Sequence, residues 1–310
     1  MFEQSQWVWM DGEVVPWNQA TIHVSSHALH YGTGVFEGIR CYETPDGPAI
    51  FRADAHLDRL YASALAYGMQ IVYPTEVLLE AMCELIRRNG FRSCYIRPIC
   101  CYGSKSLGFL PNRCPVHVAI LAWPWETMHG QSALEHGVHV GVSRWTKFHS
   151  SMMPTTAKAC GQYLNSILAL RDATTAGFDE ALLMDLGGTI AEGAGENLFL
   201  VKKGTLLTND QRHSILMGVT RDAVMNIARD LGIPVETRTL ELDDLVSSEE
   251  AFLTGTAAEI TPIRAVDSRL IGGGVRGPIT KLIQERFFAI AVGREPTRRA
   301  WLHPVPGTTT

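Results

Sequence analysis

Lysine is scarce in this chain: 310 residues carry six, the other 21 of its 27 cationic side chains being arginine. No stretch forms a basic block, and the formal charge is −5. A net-acidic chain without a basic stripe is a poor match for nucleic acid or an anionic membrane surface, so neither is expected as a partner. Long apolar runs are also missing. The best, Val116 to Trp125, is too short to span a bilayer and holds His117 and Pro124. The seven cysteines are odd in number and none forms Cys-x-x-Cys. That argues against a disulfide scaffold or a zinc knuckle and suits a reducing compartment. The opening MFEQSQWVWMDGE lacks a basic region followed by an apolar one. No signal peptide is therefore expected, and the cytoplasm is the expected location. No Gly-x-Gly-x-x-Gly follows the first strand and no Walker motif occurs, which weakens dinucleotide and P-loop readings.

What is present suits a large core: 46% hydrophobic and 19% charged residues exclude global disorder. Trp7–Met10, Asp11-Gly12 and Glu13–Trp17 read as a tight hairpin. Strands are expected at Gly38–Glu43, Pro48–Arg52, Tyr95–Tyr102 and Val116–Trp123, with helices from His56 and over Glu76–Asn89. Gly137–Ser143 opens a second half that again mixes strands and helices, ending in a helix over Pro278–Val292 and a frayed tail from Pro304. Neither half has a regular βαβ rhythm, so the expected class is α+β with two domains. Residues 1–124 form the expected small domain, 125–135 a linker and 136–310 a large domain.

Several windows carry possible chemistry. Lys158 sits in Thr155-Thr156-Ala-Lys-Ala-Cys-Gly161, among small residues at a helix entry. A desolvated lysine can serve as a nucleophile; a lysine snorkelling from a helix start is the plain alternative. Glu192 and Glu196 flank a Gly-Ala-Gly turn where a planar ligand could lie close to the backbone, or the segment is simply a polar turn. Met217-Gly218-Val219-Thr220 and Thr254–Glu259 read as helix starts able to hold an anion, or as ordinary caps. Arg59 faces away from the Leu57/Leu60 stripe and could reach a phosphate or be solvated. Tyr95 and Arg97 share one face of a strand, where they could grip a carboxylate or form a surface pair on an edge strand. Lys202 and Lys203 mark a solvated hairpin tip. His23, His27 and His30 have spacings that could share a helical face, but no carboxylate or cysteine lies nearby; no metal is expected.

Together these windows resemble the branched-chain aminotransferases, fold-type IV pyridoxal-phosphate enzymes. The matching text is SHALHYGTGVFEGIRCY (26–42), FRADAHLDRL (51–60), YIRP (95–98), TTAKACGQYLNS (155–166), EGAGENLF (192–199), GVTRDA (218–223) and GTAAEITPIRAVD (255–267). The resemblance implies pyridoxal 5′-phosphate as cofactor, held in the large domain, and Lys158 as its covalent anchor and proton shuttle. Glu192 would pair with the pyridine nitrogen and Tyr163 with the ring oxygen. Arg59 would hold the phosphate with Val219, Thr220 and Thr256, while Gly195, Asn197, Met217 and Gly218 would line the cofactor. Tyr31, Phe36, Arg40, Tyr95, Arg97, Met128, Thr256 and Ala257 match substrate positions. The implied substrates are small amino acids and 2-oxo acids, with branched-chain L-amino acids and 2-oxoglutarate foremost. The implied assembly is at least a homodimer whose partner completes the pocket. An (R)-amine or D-amino-acid transaminase shares the fold, and a non-catalytic metal-binding protein is the rival from another class. The family often has tyrosine at Met128, serine at Ala191 and asparagine at Gln162.

Overall fold

A computed structural model describes residues 4–125 and 127–307. The chain divides into two compact units. The first comprises Met1–Trp125, Ala157–Gly161 and Ile290–Thr310; the second comprises Glu126–Thr156 and Gln162–Ala289.

The first unit is built on an antiparallel sheet. Its order is Leu302–Pro304, Gly47–Phe51, Ile39–Thr44, Cys94–Tyr102, Val116–Trp123, Trp7–Met10 and Glu13–Pro16, with Gly34–Phe36 also paired to Cys94–Tyr102. Asp11 and Gly12, both at positive φ, make the expected tight turn. Helices Ala53–Ala66 and Thr75–Asn89 bury Leu57, Leu60, Leu78, Met82, Leu85 and Ile86 in this unit's core. Gly90, at φ 68°, ends the second of them. Cys94–Tyr102 is an interior strand, which removes the edge-strand reading of Tyr95 and Arg97. Nor is the tail frayed from Pro304. Leu302–Pro304 pairs with Gly47–Phe51, and Val305 is buried and donates its N–H to Pro48 O. Residues 308–310 of that expected tail, and Glu126 of the expected linker, lie outside the described residues.

The second unit carries a mixed sheet in the order Ile190–Gly193, Glu180–Met184, Val138–Val142, Glu259–Val266, Glu250–Gly255, Asn197–Lys202, Thr205–Thr208 and Val235–Thr237. Val138–Val142 runs parallel to both its neighbours. Leu182, Leu198, Leu200, Leu253 and Ile263 fill one side of this sheet. Helix Val219–Asp230 buries Val224, Ile227 and Ala228. Lys202 is not a solvated tip: its amine bonds Asp244 Oδ1 at 2.9 Å. Gln131–His136, which overlaps the end of the expected linker and runs one residue past it, forms a short helix. Among the described residues, no helix is long and apolar enough to cross a membrane.

Candidate active site

Lys158 is fixed through its backbone. Val35 bridges Ala159, the Phe36 N–H donates to Lys158 O at 3.0 Å, and the Lys158 N–H donates to Ser63 Oγ at 3.0 Å. A strand and a helix of the first unit thus hold this segment from two sides. The amine lies 5.1 Å from the Phe36 ring centroid. Burial pushes the Lys158 pKa down to about 8, and the Arg59 and Arg97 guanidiniums push the same way against Glu37 and Tyr95.

Glu37 organises the cations around it. Its fully buried carboxylate accepts from Arg59 Nε at 2.7 Å and Arg59 Nη2 at 2.9 Å, and bonds His56 Nδ1 at 2.7 Å. Burial opposes ionisation of Glu37, but Arg59 and then His56 hold its carboxyl well below the usual range. Burial keeps His56 below its ordinary pKa, against the pull of Glu37. Arg59 is therefore not a solvated arginine; the two-pronged contact sets the plane of its guanidinium. Gly38 has a steric reason: a Cβ there would lie 1.8 Å from the Tyr95 hydroxyl.

Arg97 is caged by three rings. Its guanidinium carbon lies 4.5 Å from the Phe36 centroid, 5.4 Å from Tyr95 and 5.7 Å from Trp123. Its Nε is buried and has no hydrogen-bond partner. A desolvated, always-charged donor of this kind is ready for a carboxylate. Tyr95 packs on Trp123 and Trp125, and Arg40, opposite Tyr95 in the sheet, lies over Tyr42. Tyr31 is 42% exposed, donates its hydroxyl to Leu107 O and faces Phe109.

The second unit holds the other half of the expected set. Glu192 lies in Ile190–Gly193, 5% exposed. Its Oε1 pairs with Lys147 Nζ at 2.7 Å, and its Oε2 accepts from Asn197 Nδ2 and the Leu216 N–H, each at 3.0 Å. Asn209 Nδ2 donates to Ile190 O and Ala191 O at 2.7 Å, holding the strand that carries Glu192. Buried Arg221 Nη2 in turn donates to Asn209 O at 2.6 Å. Gly218 caps helix Val219–Asp230 with no side-chain cap, so the first-turn N–H groups of Val219 and Thr220 face an anion-favouring helix end. A Cβ on Gly218 would meet Asn197 Oδ1 at 2.1 Å, so a side chain there would dislodge the amide that supports Glu192. Met217 and Gly195 are exposed, while Tyr163 starts helix Tyr163–Thr175 half-buried.

Thr254–Glu259 is not a helix start. Thr256 and Ala257 form the turn of a hairpin between Glu250–Gly255 and Glu259–Val266. Two small residues with the chain reversing between strands produced the same local signal as a helix cap. The Met128 N–H donates to Ala257 O at 3.0 Å, tying that loop to the turn. The histidine trio is hydrogen-bonded elsewhere: His23 to Ser25, His27 to Thr33 and Gly108 O, His30 to Val24 O. Sequence reasoning overlooked Glu37, His56, Ser63, Lys147 and Asn209. Glu37 stood inside the quoted Phe-Glu-Gly window, and Lys147 shared the scarcity that made Lys158 conspicuous.

In the first unit, then, Lys158, Phe36, Arg59, Tyr95 and Arg97 come together as an amine of lowered pKa beside two guanidiniums. In the second, Glu192, Asn197 and the 217–220 helix start come together as a buried carboxylate beside an anion-binding helix end. Each set by itself has groups that suit a phosphorylated pyridine carbaldehyde: in the first unit an amine for a carbonyl and an arginine for a phosphate, in the second a carboxylate for a ring nitrogen and helix N–H groups for a phosphate. The family model for class IV amino-transferases matches residues 34–266. A Pseudomonas aeruginosa branched-chain-amino-acid aminotransferase is 44% identical over 294 residues, 95% of each chain. The crystal structure of the Escherichia coli branched-chain amino acid aminotransferase is 43% identical, with a TM-score of 0.95 over 97% of this chain and 100% of that one. The Thermobaculum terrenum enzyme in its PLP form is 33% identical, with a TM-score of 0.91 over 98% of this chain and 99% of that one. The chain belongs to the class IV aminotransferases.

Proposed function

We propose that this protein is a pyridoxal-phosphate-dependent aminotransferase that moves the amino group between leucine, isoleucine or valine and 2-oxoglutarate. The observation that carries the reading is Lys158, whose backbone is held by Ser63 and Phe36 and whose amine has its pKa pushed down by burial to about 8. At pH 7 roughly a tenth of such amines are neutral, against fewer than about one in a thousand ordinary lysines. The relatives at 43–44% identity over nearly their full length are branched-chain enzymes, which favours this substrate class over D-amino acids or (R)-amines.

Pyridoxal 5′-phosphate, when bound, supplies a carbonyl that accepts the amino group and a protonated ring that draws electrons from Cα. Lys158 Nζ would anchor that carbonyl and, once displaced by substrate, carry the proton to and from Cα. Glu192, oriented by Asn197 and Leu216, would pair with the ring nitrogen. Arg59, aligned by Glu37, would hold the phosphate, with Val219, Thr220 and Thr256 donating to it. Tyr163 would bond the ring oxygen, and Gly195, Met217 and Gly218 would line the cofactor. Phe36 and Tyr95 offer apolar surface to a branched side chain, while Arg97 takes a carboxylate and Thr256 and Ala257 present backbone N–H groups.

The working unit proposed is at least a homodimer. Tyr31, Leu107, Phe109 and Leu110 are 42%, 52%, 87% and 69% exposed, an apolar surface suited to a second copy. The location proposed is the cytoplasm, where the free thiols stay reduced. A small domain over 1–124, a connector over 125–135 and a cofactor-binding domain from 136 remain the proposed organisation; the passage from Trp125 to Glu126 between compact units supports the first boundary. The test is turnover with 2-oxoglutarate and L-leucine, D-alanine or (R)-1-phenylethylamine. Activity on L-leucine alone, or far above the others, is expected; a preference for either D-configured amine would overturn the substrate assignment.

A further inference from the structure

Three side chains of the second unit meet outside the groups described above. His129 Nε2 lies 3.8 Å from Glu180 Oε2, and the ligand atoms of His129, Glu180 and Glu196 all lie within 4.8 Å of one another. Glu180 is fully buried, Glu196 is 3% exposed and the His129 side chain is 9% exposed. Neither His129 Nε2 nor Glu180 Oε2 has a hydrogen-bond partner, although both are buried. The outer oxygen of Glu180 is used, accepting from the Ala181 N–H at 2.7 Å, and Glu196 Oε2 accepts from the Gly195 N–H at 3.0 Å. One imidazole nitrogen and one carboxylate oxygen therefore face each other across a gap too wide for a hydrogen bond.

That gap has a natural occupant. With zinc–nitrogen and zinc–oxygen bonds of about 2.1 Å, the edge of a tetrahedral site is about 3.4 Å. The 3.8 Å gap between His129 and Glu180 closes with a shift of about half an ångström, and any edge of the trio, none wider than 4.8 Å, with about 1.4 Å or less. Two carboxylates and a neutral imidazole balance a dication. Without an ion, two buried acids face inward, with Glu180 Oε2 left unpartnered. His129 also borders a surface cavity of about 440 Å³, lined with it by His136, Phe178, Asp179 and Arg264.

We propose that His129, Glu180 and Glu196 form a binding site for one divalent first-row ion, zinc by its donor set, with the fourth position left to water. The site is distinct from the cofactor residues but adjoins them in the chain: the Gly193 N–H donates to Glu196 O at 2.7 Å, one residue from Glu192. A bound ion would pin the loop at His129 to strand Glu180–Met184 and to the turn at Glu196 that follows Ile190–Gly193, close to Glu192.

The test is titration of EDTA-treated, desalted holoenzyme with zinc chloride, followed by calorimetry and by metal analysis after gel filtration. One zinc per chain is expected, with a rise in thermal midpoint. His129→Leu and Glu180→Gln should each weaken binding by about a hundredfold or more and abolish the rise, as loss of a ligand requires. If Glu180→Gln does not fold, His129→Leu decides alone, because His129 Nε2 has no hydrogen bond to lose. Equal zinc binding by wild type and His129→Leu would place the ion elsewhere and overturn the proposal. So would a wild type that retains no zinc, which would leave a proton shared by Glu180 and Glu196 as the occupant.

Discussion

Lys147 Nζ lies 2.7 Å from Glu192 Oε1, the lysine 7% and the glutamate 5% exposed. This buried pair joins a loop without periodic pattern to the strand that carries the proposed ring-nitrogen partner. Two ions taken out of water gain little net energy from each other, but removing one strands the other. Lys147 thus gives the buried Glu192 carboxyl a cationic partner within its own unit.

Replacing Lys147 by methionine keeps the apolar stem and removes the charge. The apoprotein should lose about 3–5 kcal/mol of stability in urea unfolding. Holoenzyme should lose less, because the bound ring supplies a cation to the same carboxylate. An equal loss in both forms would mean that Lys147 and the ring do not share Glu192.

Lys158→Ala should lose the visible absorbance of the bound cofactor and at least about 10⁴-fold in turnover, since one group serves as nucleophile and proton carrier. In the wild-type apoprotein, the rate of cofactor attachment should rise with pH and level off above about 8, where the amine is neutral. Normal turnover in Lys158→Ala would end the aminotransferase assignment. A plateau only above pH 10 would show that the amine is solvated.

Glu37→Gln addresses the Arg59 clamp. Glu37 is held below its unfolded pKa, so the stability contributed by its ionisation is complete at neutral pH and is lost only as pH falls through the folded-state value. The variant should be about 3–5 kcal/mol less stable at pH 7. That difference should stay level down to about pH 5 and shrink below about 4, where the unfolded carboxyl protonates. Pyridoxal phosphate affinity should fall with it if Arg59 holds the phosphate. A difference that grows on acidification would contradict the ion-pair account.

Most regular elements were legible where one local force dominated. Asp11-Gly12 had a turn signal with a steric cause, and Gly90 and Gly232 follow their helices at positive φ, a local stop signal that glycine supplies. Lys158 was legible because a lone lysine among small residues is chemically odd. Elements decided by distant partners were not. Strand Glu259–Val266 begins at a turn that reads like a helix cap, and only pairing with Val138–Val142 and Glu250–Gly255 makes it central. The tail after Trp301 has turn-forming prolines but is held by backbone bonds to Gly47–Phe51, some 250 residues away. Glu37, Lys147 and Asn209 act through buried partners far along the chain, which no spacing rule connects.

Arg97 should discriminate between the two half-reactions. A pocket serving both leucine and glutamate must accept an apolar side chain and a carboxylate, and an apolar wall alone would leave the carboxylate unpaired at high cost. Phe36, Tyr95 and Trp123 surround the Arg97 guanidinium at 4.5–5.7 Å, so one region offers both aromatic surface and a fixed cation. Its buried Nε has no hydrogen-bond partner, leaving that donor for an incoming carboxylate. A branched side chain would use the rings; the side-chain carboxylate of glutamate or 2-oxoglutarate would use the guanidinium. Arg97→Ala should therefore cost the glutamate half-reaction about 2–5 kcal/mol in transition-state terms and the leucine half much less. Arg97→Lys should recover only part of the loss, since an ammonium lacks the planar fork. Stopped-flow measurement of each half-reaction in wild type and both variants checks this. Equal losses in the two halves would assign Arg97 to the α-carboxylate common to both substrates, and the orientation argued here would be reversed.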